Sequence, residues 1–256
     1  MEIAGRGRIL IWEGGSLWLM EALPARGSAS NMTAFHAHHA IQITLSLGGH
    51  FEFRTRDSSV AGDAIVAPDV EHLFEAKGHV AVLFVEPESR PGLAIVRNIL
   101  GGATLRSVPL EKVADLVEHL KQASRKSSVS EQELEAIGRS LIERLADVHA
   151  VNLPDARVRK MIDHVAARLD DAVSLGSAAR IAGLSPSRAR HLFVEQTGLP
   201  FRSYLLWLRI TKAVAIMATG TTLTEAAHEA GFADSAHFSR TFRRMFGIPA
   251  AALQLT

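Results

Sequence analysis

Two groups of residues have the types and spacing to do chemistry. The first is a histidine cluster: His36-Ala-His38-His39, then Gln42, then Gly62-x5-Pro68-x3-His72. Histidines two apart on a strand face the same side, so His36 and His38 are expected to share a site. Neutral imidazole is a common ligand for divalent transition metals. The same rings can equally line a pocket for an organic ligand or hydrogen-bond neighbouring carbonyls. The second group is a phrase that occurs twice. Ala182-Gly-Leu-Ser-Pro-Ser-Arg-Ala-Arg-His-Leu-Phe leads to Thr197-Gly198, and Ala230-Gly-Phe-Ala-Asp-Ser-Ala-His-Phe-Ser-Arg-Thr-Phe leads to Phe246-Gly247. Each copy reads as a glycine turn, a capping residue, and a helix with arginines on one side and Phe or Leu on the other. A doubled turn-helix unit of this kind suits DNA grooves.

The elements that must carry these groups differ between the halves of the chain. From Gly7 to about Glu86 the pattern is strand-like. Ile9-Leu-Ile-Trp12 and Ser16-Leu-Trp-Leu-Met20 flank Gly14-Gly15, and Ile41 to Leu47 alternates apolar and polar residues. Phe51 to Arg56, Ala64 to Ala67 and Val80 to Val85 complete a set of short strands, which predicts a small barrel or sandwich. A barrel of this size holds one small molecule. Trp12 and Trp18 are expected in the core or an interface, not in the pocket.

Gly101-Gly102 and Pro109 mark a change to helices. Val113, Leu116, Val117 and Leu120 form one apolar stripe, broken at Ser127-Ser128. Leu134, Ile137, Leu141, Ile142 and Leu145 form another, after the capping box Ser130-x-x-Glu133. Such stripes either pair two subunits or pack on the chain's own barrel. Asn152-Leu-Pro154-Asp reads as a linker. Beyond it, Val158, Ile162, Val165 and Leu169 form a helical stripe, and Ser174 caps a short helix. Phe201 to Met217 is expected as a long, largely buried spacer helix ended by Gly220, and Thr222-x-x-Glu225 starts the next. Asp234 or Ser235 caps the second reading helix, with Phe238, Phe242 and Phe246 inward.

The 256 residues favour two domains. Net charge is +1, but residues 155–256 carry 13 Lys+Arg against 8 Asp+Glu, while residues 1–154 carry 15 against 19. The basic surplus lies with the repeated phrase, as a polyanion partner would require. There is no cysteine, which excludes a disulfide framework and a thiol nucleophile. The N-terminus lacks a signal-peptide run and no apolar stretch approaches a membrane span, so a cytoplasmic protein without membrane contact is expected. No nucleotide loop, Ser/His/Asp elbow or framed carboxylate pair is present, so no enzyme is expected.

The spacing around the histidines resembles the two signatures of the cupin barrel. That resemblance implies a divalent-metal site at His36, His38 and His72, with Gln42 where cupins carry glutamate, a poorer ligand. The same four residues, His36, His38, Gln42 and His72, are the expected effector pocket. Val158 to Gly247 resembles the DNA-binding domain of the arabinose-regulator (AraC/XylS) family. The match is carried by Ala182-Gly-Leu-Ser185, Arg190-x-x-Phe193, Thr197-Gly198, Tyr204-x4-Arg209-x3-Ala213, Gly231-Phe232, Phe238-x-Arg240-x-Phe242 and Phe246-Gly247. It departs from the family at Ala226, at Pro249 and at Leu253-Gln254, which puts the last turn's phosphate contact in question. The resemblance implies Ser187, Arg190, His191, His237 and Arg240 as base-reading residues. Arginine meets guanine O6 and N7 together. Arg188, Arg202, Arg243 and Arg244 suit phosphate, which positions the protein without reading sequence.

The expected fold is α+β: a cupin-like sensor barrel over 1–100, a helical linker or dimerisation region over 101–153, and an all-α domain over 154–256 with two helix-turn-helix units. The expected function is a ligand-responsive, sequence-specific transcription regulator, acting as a homodimer on double-stranded promoter DNA. A small molecule or a metal is its effector and RNA polymerase a candidate partner. The alternatives are a metal-dependent cupin enzyme fused to a DNA-binding domain, and a barrel that serves only as a dimerisation or partner module.

Overall fold

The structure, a computed structural model, describes residues 5–22, 32–126, 128–148, 151–169 and 173–255. Ser127, half of the expected helix break, lies outside these residues. The chain divides into two compact units, Met1–Val151 with Phe242–Thr256, and Asn152–Thr241.

The first unit is built on a sheet. Strands β1 (Gly5–Trp12) and β2 (Gly15–Ala22) form the expected hairpin. They are followed by β3 (Ile41–Ser46), β4 (His50–Arg54), β5 (Ser59–Ala61), β6 (Ala64–Val66) and the long β7 (Leu73–Val85). With β8 (Leu105–Ser107) and β9 (Leu253–Leu255), the order is β8-β6-β3-β7-β2-β1-β9, with β4 and β5 branching from β7. The first half of β7 pairs with β4 and its second half with β2 and β3. Among the described residues no pairing joins β8 to β9, so the expected small barrel or sandwich is built as an open, branched sheet. The last strand was not legible beforehand. Leu253–Leu255 pairs in parallel with Gly5–Gly7, at the far edge of the hairpin.

Three helices cover this sheet. Helix α1 (Arg90–Ile95) is capped by Ser89, whose hydroxyl accepts from the Gly92 amide. Helices α2 (Ala114–Ser124) and α3 (Glu131–Ala146) present the stripes read above. Val113, Leu120, Leu134, Ile137, Leu141, Ile142 and Leu145 are buried in one core with Leu17, Ile43 and Leu83 of the sheet. These apolar faces are therefore covered by the chain's own sheet. Trp12 packs against the same core and lies 5.1 Å beneath the Arg139 guanidinium.

The second unit is helical. It holds α4 (Ala156–Ala166), α5 (Leu175–Ile181), α6 (Pro186–Thr197), α7 (Phe201–Ala218) and α8 (Leu223–Glu229). Helix α9 (Ser235–Phe246) starts in it. Val158, Met161 and Val165 of α4 bury against Ala178, Ala189, Leu192 and Phe193. Along α7 only Phe201, Tyr204, Trp207, Ile210, Ala213 and Val214 are fully buried. The expected largely buried spacer has one buried stripe and half-buried flanks, because α7 is covered on one side only.

Candidate functional site

His36, His38, Gln42 and His72 come together, although not on the strand expected for the first two. Residues 32–40 run as an irregular segment tied by two isolated bridges, Met32 to Glu75 of β7 and His36 to His72 just before it. In the second bridge the His36 and His72 amides each donate to the other's carbonyl at 2.9 Å. All three imidazoles are buried. Their ring centroids lie 4.3 Å (His36–His72), 5.1 Å (His38–His72) and 5.9 Å (His36–His38) apart.

The proton positions follow from the partners. His36 Nδ1 lies 2.8 Å from the Ala34 carbonyl, His38 Nδ1 2.9 Å from Ala40 and His72 Nδ1 2.9 Å from Val70. A carbonyl only accepts, so each Nδ1 carries the hydrogen and each Nε2 presents a lone pair. Burial, reinforced by the neighbouring imidazoles, holds His36 down to about 4 and His72 down to about 2. Burial likewise lowers His38, against the opposing effect of Gln42. The three rings are neutral at physiological pH.

Gln42 completes the cluster. Its Oε1 lies 2.9 Å from His38 Nε2 and 3.3 Å from His72 Nε2, while its Nε2 donates to Thr44 Oγ1 at 3.1 Å. Two lone-pair nitrogens facing an amide oxygen are satisfied in one of two ways. Either the amide turns over and donates to them, or a cation lies among the acceptors. One ligand atom from each histidine lies within 4.8 Å of the others. Each ring donates its other nitrogen to a carbonyl, the usual support for a metal-ligating imidazole. The residues present therefore fit a divalent metal.

A cavity of about 120 Å³ adjoins the cluster. His36, Gln42 and Thr33 supply its polar part, and Trp18, Phe74, Val82, Phe84, Phe246 and Leu253 much of its apolar wall. Trp18, expected away from the pocket, is thus part of it. Its ring lies 5.1 Å from Phe84 and 5.2 Å from Phe246. The segment after α9 is held here by the Ala34 amide donating to the Gly247 carbonyl at 2.9 Å, and by β9.

One buried charged group was missed in the sequence. His39 is buried between Asp69 (Nδ1 to Oδ2, 2.9 Å) and Glu88 (Nε2 to Oε1, 2.6 Å). Burial opposes its charge, but the two carboxylates outweigh it and push His39 up to about 9. Glu86 nearby is pushed up to about 7, first by burial and then by Glu88. Nothing local signals this clamp, since the acids lie 30 and 49 residues along the chain.

The second set of residues sits on two turn-helix units. In the first, Ser174 and Ser177 form a capping box at α5. Ser185 caps α6 by accepting from the Arg188 amide, and Pro186 is the first helical residue. Leu192 and Phe193 are buried, and Phe193 meets Phe201 and Tyr204 edge-on at 5.4 and 5.2 Å. Ser187, Arg188, Arg190 and His191 are exposed. In the second, Thr222 and Glu225 form the capping box of α8. Asp234 takes the cap of α9, its Oδ1 accepting from the His237 amide at 2.6 Å. Phe238, Phe242 and Phe246 are buried, while Arg240, Arg243 and Arg244 are exposed. His237 is half-buried, its ring held edge-on to Phe232 at 5.3 Å. Arg202 is exposed in the first turn of α7.

Residues 178–255 match a helix-turn-helix domain family. The HTH-type transcriptional activator RhaS of Enterobacter sp. (strain 638) is 25% identical over 230 residues, covering 82% of this chain and 83% of that protein. The probable transcriptional regulator LumQ of Photobacterium leiognathi is 28% identical over 233 residues, covering 84% and 89%. The arabinose operon regulatory protein of Salmonella typhimurium is 32% identical over 111 residues, 42% of this chain and 40% of that protein. The crystal structure of ToxT from Vibrio cholerae O395 shares the fold, with a TM-score of 0.59, 13% identity, and 93% and 95% of the two chains covered. A ToxT structure with bound unsaturated fatty acid superposes with a TM-score of 0.56 at 16% identity, over 93% of this chain and 95% of that one.

Proposed function

We propose that the chain is a transcription regulator of the AraC/XylS type, a reading supported by its helix-turn-helix match and its RhaS and LumQ relatives, and that its residues divide the work as follows. Ser187, Arg190 and His191 on α6, with His237 and Arg240 on α9, read bases in the major groove. Arg188, Arg202, Arg243 and Arg244 take phosphates. The observation that carries this reading is the construction of the two reading helices. Each is capped at its start, closed by a left-handed glycine, packed by an aromatic or leucine stripe, and left with its arginines in solvent.

The cavity beside the three histidines is the effector site, with His36, His38, Gln42 and His72 as its polar end. The ToxT structure with a bound fatty acid supports a small-molecule role for this fold. Residues 1–100 serve as sensor, 101–153 as linker, and 154–256 as DNA-binding domain, with Phe246 and the segment after it also contributing to the cavity wall. A second copy of the chain and RNA polymerase are the protein partners of this scheme, and the cytoplasm its setting. A divalent metal would be held by the Nε2 atoms of His36, His38 and His72 with the Gln42 amide oxygen, where it would supply a positive anchor for an effector's donor atom.

Selection of bound sequences from random duplex DNA tests the reading. The expected result is a site with two base-specified segments about one helical turn apart. Recovery of no common sequence would sink it. A second reading, a cupin metalloenzyme joined to a DNA-binding domain, draws on the three clustered imidazoles. It requires tightly held metal, which mass spectrometry of the purified protein detects, and turnover that disappears on its removal.

A further inference from the structure

We propose that the cavity takes an uncharged, single-ring, largely apolar molecule bearing one hydrogen-bond donor, with Phe246 as the wall that selects it. This rests on the effector role proposed above for the same cavity.

Size comes first. An apolar cavity of about 150 Å³ in another protein is enough to bind benzene. The space here, about 120 Å³, is on the scale of one ring. Its wall is mostly aromatic and branched aliphatic: Trp18, Phe74, Val82, Phe84, Phe246 and Leu253. Such a wall favours a flat apolar body, through burial and edge-to-face ring contacts.

Charge comes second. Among the described residues, no Asp, Glu, Lys or Arg lines the cavity. An ion placed there would lose its hydration without a side-chain counter-charge, a cost far larger than that of a paired polar group. The lining polar groups also define which hydrogen bond is on offer. Thr33 Oγ1 already accepts from the Phe74 amide, and Gln42 is engaged with His38, His72 and Thr44. His36 donates through Nδ1 to Ala34, so its Nε2 is an acceptor. A ligand hydroxyl or N–H complements it.

Selection by Phe246 follows from how it is held. Its ring packs at 5.2 Å against Trp18 and at 5.8 Å, edge-on, against Phe84. The neighbouring Gly247 carbonyl accepts from the Ala34 amide, and β9 is paired to β1. A ligand in the cavity touches this docked segment, and binding therefore favours the docked arrangement over any other.

The test is calorimetric titration of the full chain with p-cresol and with p-toluate, a pair of similar shape that differ in charge at neutral pH. Each is run on protein dialysed against EDTA and on protein supplied with zinc. The expected result is saturable 1:1 binding of p-cresol to the EDTA-dialysed protein, at least about tenfold tighter than p-toluate. Phe246→Trp, which fills the cavity, should weaken p-cresol by a further tenfold or more. Where that variant does not fold, Val82→Phe supplies the same block from the sheet. Equal or tighter binding of p-toluate by the EDTA-dialysed protein overturns the charge argument, and with zinc held by the histidines p-cresol should lose its advantage. Unchanged p-cresol affinity in the blocked variant overturns the site. The DNA selection is read separately. Protein that selects a sequence but binds neither probe loses this ligand class and keeps the regulator. Protein that binds p-cresol but selects no sequence does the reverse.

Discussion

Helices α6 and α9 share a plan and differ in what closes them. Helix α6 ends at Gly198, with φ of 75°, and α9 ends at Gly247, with φ of 72°. Both glycines adopt the left-handed conformation that other residues reach at a cost. Their surroundings are opposite. A Cβ on Gly198 would meet nothing within 4 Å. A Cβ on Gly247 would stand 2.6 Å from the Ala34 carbonyl oxygen, 2.6 Å from His36 Nδ1 and 2.7 Å from the Thr33 side chain. The first helix is closed by conformation alone. The second is closed by conformation and by a docking site made of the residues that lead into the histidine cluster. A repeated motif thus carries one free end and one held end, and the held end belongs to the cavity.

The sharpest way to break that comparison is a pair of alanines. Gly198→Ala should cost only the left-handed backbone penalty, about 1 kcal/mol. Gly247→Ala adds backbone overpacking and should cost about 3 kcal/mol or more. Urea denaturation of the two variants measures both. Equal losses would mean that the second closure is no more constrained than the first.

Acid provides a second separation. The folded pKa of His36 is lowered from 6.5 to about 4 by burial first and by His38 second. Above 6.5 the ring is neutral in both folded and unfolded chains, and its contribution to stability is complete. As pH falls from 6.5 toward 4 the unfolded chain takes up the proton and the folded chain does not, so stability is lost over that window, by about 2–3 kcal/mol. Protection of the β9 amides, measured against their intrinsic exchange rate, should fall through that window. Amides at the end of α6, remote from the buried histidine cluster, should keep their protection. Equal behaviour of the two ends would remove His36 from the second closure.

Base reading should separate the heads less in size than in position. Arg190→Ala and Arg240→Ala are each expected to cost about 1–3 kcal/mol and to relax sequence preference in a different segment of the operator. Gel shifts with the selected duplex and its single-segment mutants check this. Loss of preference in the same segment from both substitutions would contradict two separate heads.

The sequence carried the parts of this plan whose cause is local. Ser185-Pro186, Thr222-x-x-Glu225 and the glycines at 183, 198, 231 and 247 are signals written within one turn of where they act. The apolar stripes of α2 and α3 named the residues that bury, but a stripe does not name its cover, and the sheet supplied it. The histidine set was readable from its spacing alone, although His36 and His38 sit on an irregular segment and not on the strand that spacing suggested. What was not readable is long-range. Leu253–Leu255 pairs with Gly5–Gly7 across almost the whole chain. His39 takes its charge from Asp69 and Glu88, which no spacing rule connects to it. Trp18 lines the cavity because Phe246 arrives from the other end of the sequence, a contact that neither hydrophobic segment declares by itself.

The smallest expected difference concerns the phosphate contacts. Asp155 is held at low pKa first by its hydrogen bonds from Arg157, and least by the field of Arg188 in the first turn of α6. Part of the Arg188 charge is already answered within the protein. Arg243 and Arg244 sit exposed in the last turn of α9. Each cation that neutralises a phosphate releases condensed counterions and adds about 0.9 to the slope of log affinity against log salt. Arg243→Ala should therefore lower that slope by close to 0.9, with sequence preference intact, whereas Arg188→Ala should lower it by less. Affinity measured over a salt series with the selected duplex resolves the two. Slopes that change equally would show that Asp155 turns away from Arg188 in the complex and that the two heads grip the backbone alike.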